Sequence, residues 1–160
     1  MSEVAFQRER GVLDTSSVIL LPRIKDAAHL PAEPLITAVT LAELSVGPLV
    51  ASTEQERAAR QAHLQQAEAD FDPLPFDAKA ARAFGRVATS LRRAGRKTSA
   101  RSYDAMIAAT ALSRELPLFT CNPRDFDGIE GLEVISVPVP DGALPRSGRA
   151  VSFAVRQSGD

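Results

Sequence analysis

Short apolar runs alternate with longer stretches of helical spacing along most of this chain. Val12-Leu13 is apolar and ends at Asp14, and the hydroxyls Thr15, Ser16 and Ser17 follow at once. That pattern predicts a strand handing over to a capped helix across 14–24, made irregular by Pro22. After a loop with two prolines, 35–39 reads as a second strand, with Thr40 expected to cap the helix beyond it and Gly47-Pro48 to bend that helix. Residues 53–68 carry a strongly helical mix of Ala, Gln, Glu and Arg, with Thr53 and Glu56 at capping-box spacing. Residues 71–76, with Leu74 between prolines, predict a third strand at a sheet edge. Asp77 should cap a helix that places Ala80, Ala81, Phe84, Val87, Ala88 and Leu91 at helical spacing and stops at Gly95. A basic loop over 96–102 leads into a small-residue helix over 103–115. Strands are expected at 116–120 and 132–137, separated by a polar turn.

Strands alternating with helices argue for an α/β fold with a mainly parallel sheet. The expected organisation is an N-terminal extension over 1–10, one domain over 11–140, and a disordered tail over 141–160. In that tail Pro, Gly and Ser dominate, and 151–155 has no obvious strand partner. At 160 residues the chain is long enough for one sizeable core. Its net charge of -1 does not by itself point to nucleic acid, so any such function must come from local clusters. The single cysteine, Cys121, excludes an internal disulfide, and no apolar run reaches the length of a membrane span. Residues 2–10 lack the apolar centre of a signal peptide, so the expected location is the cytoplasm.

The acids carry the candidate chemistry. Asp14 follows a strand, Glu43 lies in the first turns of a helix after a strand, Asp104 begins a helix, and Asp125 follows a strand in the polar turn. Each alone has a plain explanation as a helix cap or a complement to the helix dipole. Glu43, however, is crowded by Leu41, Ala42 and Leu44, and Asp14 ends an apolar strand where a buried carboxylate needs partners. Several carboxylates held together repel one another, and a divalent cation relieves that repulsion. Oxygen-only ligands select Mg²⁺ or Mn²⁺ over zinc. Such a site performs metal-assisted phosphodiester hydrolysis, in which no side chain need act as nucleophile.

The stretches Leu13-Asp14-Thr15-Ser16-Ser17-Val18-Ile19, Thr40-Leu41-Ala42-Glu43-Leu44, 104–111 (DAMIAATA) and Thr120-Cys121-Asn122-Pro123-Arg124-Asp125-Phe126 together resemble the PIN domain. More narrowly, they resemble the VapC toxins of bacterial type II toxin–antitoxin pairs. The resemblance spans about 11–137, in order. It implies a three-layer sandwich with a five-stranded, mainly parallel sheet and a Mg²⁺-dependent ribonuclease, with Mn²⁺ as a substitute. It also implies that Asp14, Glu43, Asp104 and Asp125 form the acidic quartet. Asp14 and Asp104 would ligate metal directly, and Glu43 would ligate through water or orient the attacking water. Asp127 is the alternative to Asp125. Thr15, Thr120 and Asn122 fall on the polar positions beside the acids, and Ser16 stands where many relatives carry Asn. Hydrolysis by metal-activated water would leave a 5′-phosphate and a 3′-hydroxyl. The partners implied are an RNA substrate, a cognate VapB-type antitoxin, whose groove is expected on the apolar faces of 15–24 and 41–50, and a second copy in a homodimer.

An acidic pocket repels phosphate, so its rim should be basic. Arg92, Arg93, Arg96, Lys97 and Arg101 fall within ten residues that contain no acid, directly before Asp104. Such a cluster suits contact with several phosphates, with Lys97 and Arg101 the strongest candidates. His29 and His63 are expected at the surface, and Cys121 as a small packed residue with no base to activate it. A haloacid-dehalogenase-type phosphatase would need a second Asp at the position of Ser16. A receiver domain would need clustered acids at the first strand and a lysine near the last. The rival of another class is a catalytically silent PIN-like module that binds RNA or a partner.

Overall fold

Val12 and Leu13 are neighbours in sequence, both out of contact with solvent, and they belong to different hydrophobic clusters. The same holds for Leu118 and Phe119. Strand side chains alternate between faces, so a strand with no polar alternation must be covered on both sides. That requirement makes the fold three-layered. The structure is a computed structural model, and it describes residues 8–140.

The elements are β1 (Arg10–Leu13), α1 (Thr15–Leu20), β2 (Glu33–Leu35), α2 (Ala38–Val46), α3 (Glu54–Asp70), α4 (Ala78–Arg93), α5 (Ser102–Ser113), β3 (Leu118–Thr120) and β4 (Val134–Ser136). Among the described residues the sheet has four strands, ordered β2-β1-β3-β4 and all parallel. Val12 pairs with Leu118 and Leu13 with Phe119, so equivalent faces coincide across the centre. One face packs on α4 and α5 through Ala83, Val87, Leu91, Ile107 and Ala108. The other packs on α1, α2 and α3 through Val18, Leu20, Leu44 and Ala67. Six residues of α5 are buried, nearly all of them small, which lets this helix lie close against its neighbours.

The expected α/β architecture is present, with local differences. The third expected strand, at 71–76, is reduced to one bridge, Thr37 to Leu74, in which Leu74 donates to the Ile36 carbonyl (2.9 Å) and accepts from the Ala38 amide (2.8 Å). Pro73 and Pro75 have no N–H to extend it. The second strand lies earlier than 35–39, and Thr37, rather than Thr40, caps α2 by accepting from the Thr40 amide at 3.2 Å. Residues 98–101 of the basic loop form a 3-10 turn. Strand β1 begins at Arg10, and the carbonyls of Arg8 and Glu9 accept from Ala32 and Glu33 (2.9 and 2.7 Å), so the end of the expected extension is tied to the sheet edge. The caps by Thr53 and Asp77 and the stop at Gly95 (φ 75°) are as expected. The 141–160 tail, its 151–155 segment, and residues 1–7 lie outside the described residues.

Gly11 holds the centre of the sheet at close approach. A Cβ there would lie 2.3 Å from the Phe119 ring, which is itself buried in the core, and 3.3 Å from Pro31. We expect Gly11→Ala to lower unfolding free energy by about 1–3 kcal/mol, the usual cost of overpacking. Urea denaturation measures it, and unchanged stability would mean that the ring has room to turn away.

Candidate active site

Strand order reverses between β1 and β3: the chain leaves β1 for β2 on one side and later enters β3 on the other. Helices therefore depart to opposite faces there, which opens a crevice at the carboxyl ends of the strands. Asp14 immediately follows β1 and Thr120 ends β3, so both sit at this point.

Asp14 is 4 % exposed. Its Oδ1 accepts from the Ser17 amide (3.2 Å) and the Ser17 hydroxyl, and its Oδ2 accepts from Thr120 Oγ1 (2.8 Å) and Ser16 Oγ (3.2 Å). It is thus both the cap of α1 and a carboxylate clamped by donors from α1 and from the end of β3. Burial raises its pKa, and the bonds from Ser17, Thr120 and Ser16 act in the opposite sense. Thr15 Oγ1, on the same first turn, donates to Glu43 Oε1 at 2.8 Å and lies 3.0 Å from Thr40 Oγ1. That contact ties α1 to α2 and holds Glu43 at the crevice. Burial raises the Glu43 pKa, Thr15 counters it, and the nearby Asp14 charge raises it further.

Asp104 lies in the first turn of α5, where the helix dipole favours a negative charge. Burial nevertheless pushes its pKa up to about 7, helped by the charges of Asp125, Glu43 and Asp14 in that order, against a smaller opposing pull from Arg101. The four expected acids therefore feel one another at a single edge. Asp125 sits in the 3-10 turn Pro123–Phe126, with its Oδ2 accepting from Asn122 Nδ2 at 3.0 Å and its Oδ1 paired with Arg101. Asn122 is itself positioned by its amide, which donates to Thr120 Oγ1 at 2.9 Å. Asp127 stands apart: it is exposed, and its backbone carbonyl accepts from Arg96 at 3.0 Å.

The basic residues divide. Arg96 spends its guanidinium on the carbonyls of Asp127 and Arg124, so it braces the Asp125 loop rather than offering a free cation. Arg101 is the counter-ion of Asp125 within the site, a role the sequence spacing did not reveal. Arg92 and Arg93 are exposed in the last turn of α4, and Lys97 is exposed just beyond it. Ser17 is the functional residue that sequence reasoning missed. Besides holding Asp14, its hydroxyl accepts from the Cys121 amide at 3.1 Å, and the run of hydroxyls after Asp14 was the available signal. Cys121 is buried, and burial pushes its thiol pKa up, so it is a poor nucleophile. His29 is exposed and His63 half-buried, both away from these acids.

The donor chemistry fits a hard divalent cation. Every candidate ligand is oxygen, and the charges of three acids are disfavoured by burial. Among the described residues no three acidic, imidazole or thiol side chains close into a cage.

The PIN domain family model matches residues 12–132. Ribonuclease VapC5 of Mycobacterium tuberculosis is 44% identical over 132 residues, covering 79% of this chain and 95% of that protein. The tRNA(fMet)-specific endonuclease VapC of Shigella flexneri is 36% identical over 97 residues, covering 61% and 70%. The crystal structure of VapBC-5, a member of the VapBC family of toxin-antitoxin systems from Mycobacterium tuberculosis, contains a chain of similar fold. The TM-score is 0.69 at 42% identity, covering 81% of this chain and 99% of that one.

The raised acids set a direction for stability against pH. In the unfolded chain Asp104 titrates near its ordinary 3.8, and in the folded protein at about 7. Between those values the native state binds more protons, so stability is greatest below the lower value and falls as pH rises through the upper one. Asp14 and Glu43 act with the same sign. In EDTA we expect a higher thermal midpoint at about pH 5 than at about pH 7.5, and a flatter dependence in Asp104→Asn. An Asp104→Asn profile identical to wild type would assign the pH dependence to other groups.

Proposed function

The chain belongs to the PIN domain family, and from that premise we propose that it is the toxin of a type II toxin–antitoxin pair, an endoribonuclease that uses a divalent cation to hydrolyse RNA. The observation that carries this reading is the meeting of Asp14, Glu43, Asp104 and Asp125 at the reversal of strand order, where burial and then the charges of the other three push the Asp104 pKa up to about 7. Its relatives from Mycobacterium tuberculosis and Shigella flexneri are named as a ribonuclease and an endonuclease, which supports the same activity here.

In this reading Asp14 and Asp104 would hold Mg²⁺, or Mn²⁺ in its place, while Glu43 would ligate through water or orient the attacking water and Asp125 would complete the acidic set. The bound cation supplies activation of water and neutralisation of charge on a phosphoryl oxygen. The chain's own residues do the positioning. Ser17 and Thr120 fix both oxygens of Asp14, and Thr15 fixes Glu43. Asn122 orients Asp125. Arg101 balances Asp125 in the metal-free site, and its guanidinium is then close enough to the reacting edge to meet an RNA phosphate. Lys97, Arg92 and Arg93 form the exposed rim, and Arg96 acts only by bracing the loop. The setting is the cytoplasm, and among the described residues no helix is long and apolar enough to cross a membrane.

The partner is a VapB-type antitoxin, by analogy with the VapBC complex of similar fold, and the toxin pairs with a second copy. Most apolar side chains of 15–24 are taken into the core, Val18 and Leu20 among them. What stays open near the expected groove is Leu49 (84 % exposed) and Val50 in the turn after α2. We expect Leu49→Glu to weaken antitoxin capture while leaving RNA cleavage intact, and undiminished capture would move the groove elsewhere.

The activity is tested by mapping RNA 5′ ends in cells expressing wild type or Asp14→Asn. Asn keeps the helix cap, so the variant should fold. Discrete new ends bearing 5′-phosphate are expected with wild type alone, and Thr120→Val should retain only about a tenth to a hundredth of the activity. Products ending in 2′,3′-cyclic phosphate would contradict hydrolysis by activated water. No new ends from a folded, antitoxin-free wild type would favour the silent binding module.

A further inference from the structure

Helix α4 carries a second basic feature, which shares only Arg93 with the cluster that precedes Asp104. Its buried face is Ala80, Ala83, Val87 and Leu91. On the other side Arg82, Arg86 and Arg93 line a cleft together with Gly85, Thr89 and Ser90. The steps from 82 to 86, 89 and 93 are those of one helical face. Leu112, Glu130 and Gly131 form the rest of the wall, so one carboxylate faces three guanidinium groups. All three arginines lie in exposed positions, and among the described residues none is ion-paired. Gly85 sits among them, and a Cβ there would meet nothing within 4 Å. Packing thus gives no reason for a glycine in mid-helix, where it weakens the helix, whereas a ligand lying close along the backbone would.

The Arg93 end of the cleft lies three residues before the brace on the Asp125 loop. At its Arg93 end α4 gives way to Arg96, which holds the carbonyls of Arg124 and Asp127 on either side of Asp125. From Arg93 back to Arg82 is eleven residues, about 16 Å along the helix.

We propose that the face Arg82–Arg86–Arg93 is a track for the RNA backbone, carrying the substrate strand away from the acidic site along α4. The proposal rests on the ribonuclease reading for the choice of RNA as occupant. The track contacts phosphates rather than bases, so it contributes length-dependent and salt-dependent affinity without sequence preference.

The test is fluorescence anisotropy of end-labelled single-stranded RNA with the full chain in EDTA, which prevents cleavage. Two probes are used, a 12-nucleotide RNA and a trinucleotide too short to span site and track. The variant Arg82→Gln with Arg86→Gln removes two charges and keeps good helix formers. Arg82→Lys with Arg86→Lys restores charge, and Lys25→Gln with Arg57→Gln is a charge-matched control elsewhere. For the 12-mer, the Gln pair should bind about tenfold more weakly at low salt, and the slope of log affinity against log salt should shrink by about 1.4. The Lys pair and the control should match wild type, and the trinucleotide should be indifferent to all of them. A 12-mer slope unchanged in the Gln pair overturns the track, as does an equal loss for the trinucleotide. Loss of polyglutamate binding with RNA binding retained also overturns it and makes the cleft a site for an acidic protein. Cleavage by wild type in Mg²⁺ is scored separately, so failure of the ribonuclease reading is distinguishable from failure of the track.

Discussion

A carboxylate almost wholly removed from water at the end of a central strand has to be answered by donors, and Asp14 imposes that demand on the whole crevice. An unsatisfied buried charge costs several kcal/mol. Here the response comes from both sides of the chain reversal: Ser16 and Ser17 from the helix that Asp14 caps, and Thr120 from the end of β3. The Thr120 contact joins residues 106 apart in sequence, so a single carboxylate holds β1 and β3 in one arrangement at their carboxyl ends. The Ser17 hydroxyl extends this to the Cys121 amide. The bonds partly offset the burial that raises the Asp14 pKa, and they fix the carboxylate in position.

The other acids arrive by different physical routes. Glu43 is drawn in through Thr15, whose hydroxyl also meets Thr40, so the α1–α2 contact is polar just where it touches the site. Asp104 comes on a helix whose small residues allow close packing, and burial, with three acids close by, leaves it titrating at about 7. Metal-free, the arrangement is electrostatically unfavourable, and Arg101 on Asp125 supplies part of the compensation. The same guanidinium stands beside the place where RNA phosphate would lie in the proposed reaction. The acidic set thus carries its own counter-ion.

Arginine is used in three ways within one short region. Arg96 is structural, Arg101 is electrostatic, and Arg93 with Arg82 and Arg86 remains free for a polyanion. Residue type and charge are the same in each case. What separates them is which acceptors each one reaches: loop carbonyls, a carboxylate, or solvent.

Much of this protein was legible in local sequence because the forces involved act over a few residues. Asp14, Thr53 and Asp77 as caps, Gly95 as a stop, and the helical spacing of Val87 and Leu91 depend only on near neighbours. The four acids were visible as strand ends and helix starts for the same reason. Tertiary structure decided the rest. The expected third strand at 71–76 shrank to Leu74 because two prolines remove the donors a ladder needs. The α2 cap fell to Thr37 rather than Thr40 because the Thr37–Leu74 bridge orients the backbone just before the helix. Asp125 rather than Asp127 faces Asp104 because a 3-10 turn, held from outside by Arg96, aims it there. Whether an arginine braces, neutralises or stays free is set by partners some 24–31 residues away along the chain. Sequence alone determined the elements and the kinds of chemistry they carry. Only the order of strands in the sheet, a matter of long-range pairing, decided which of those groups meet.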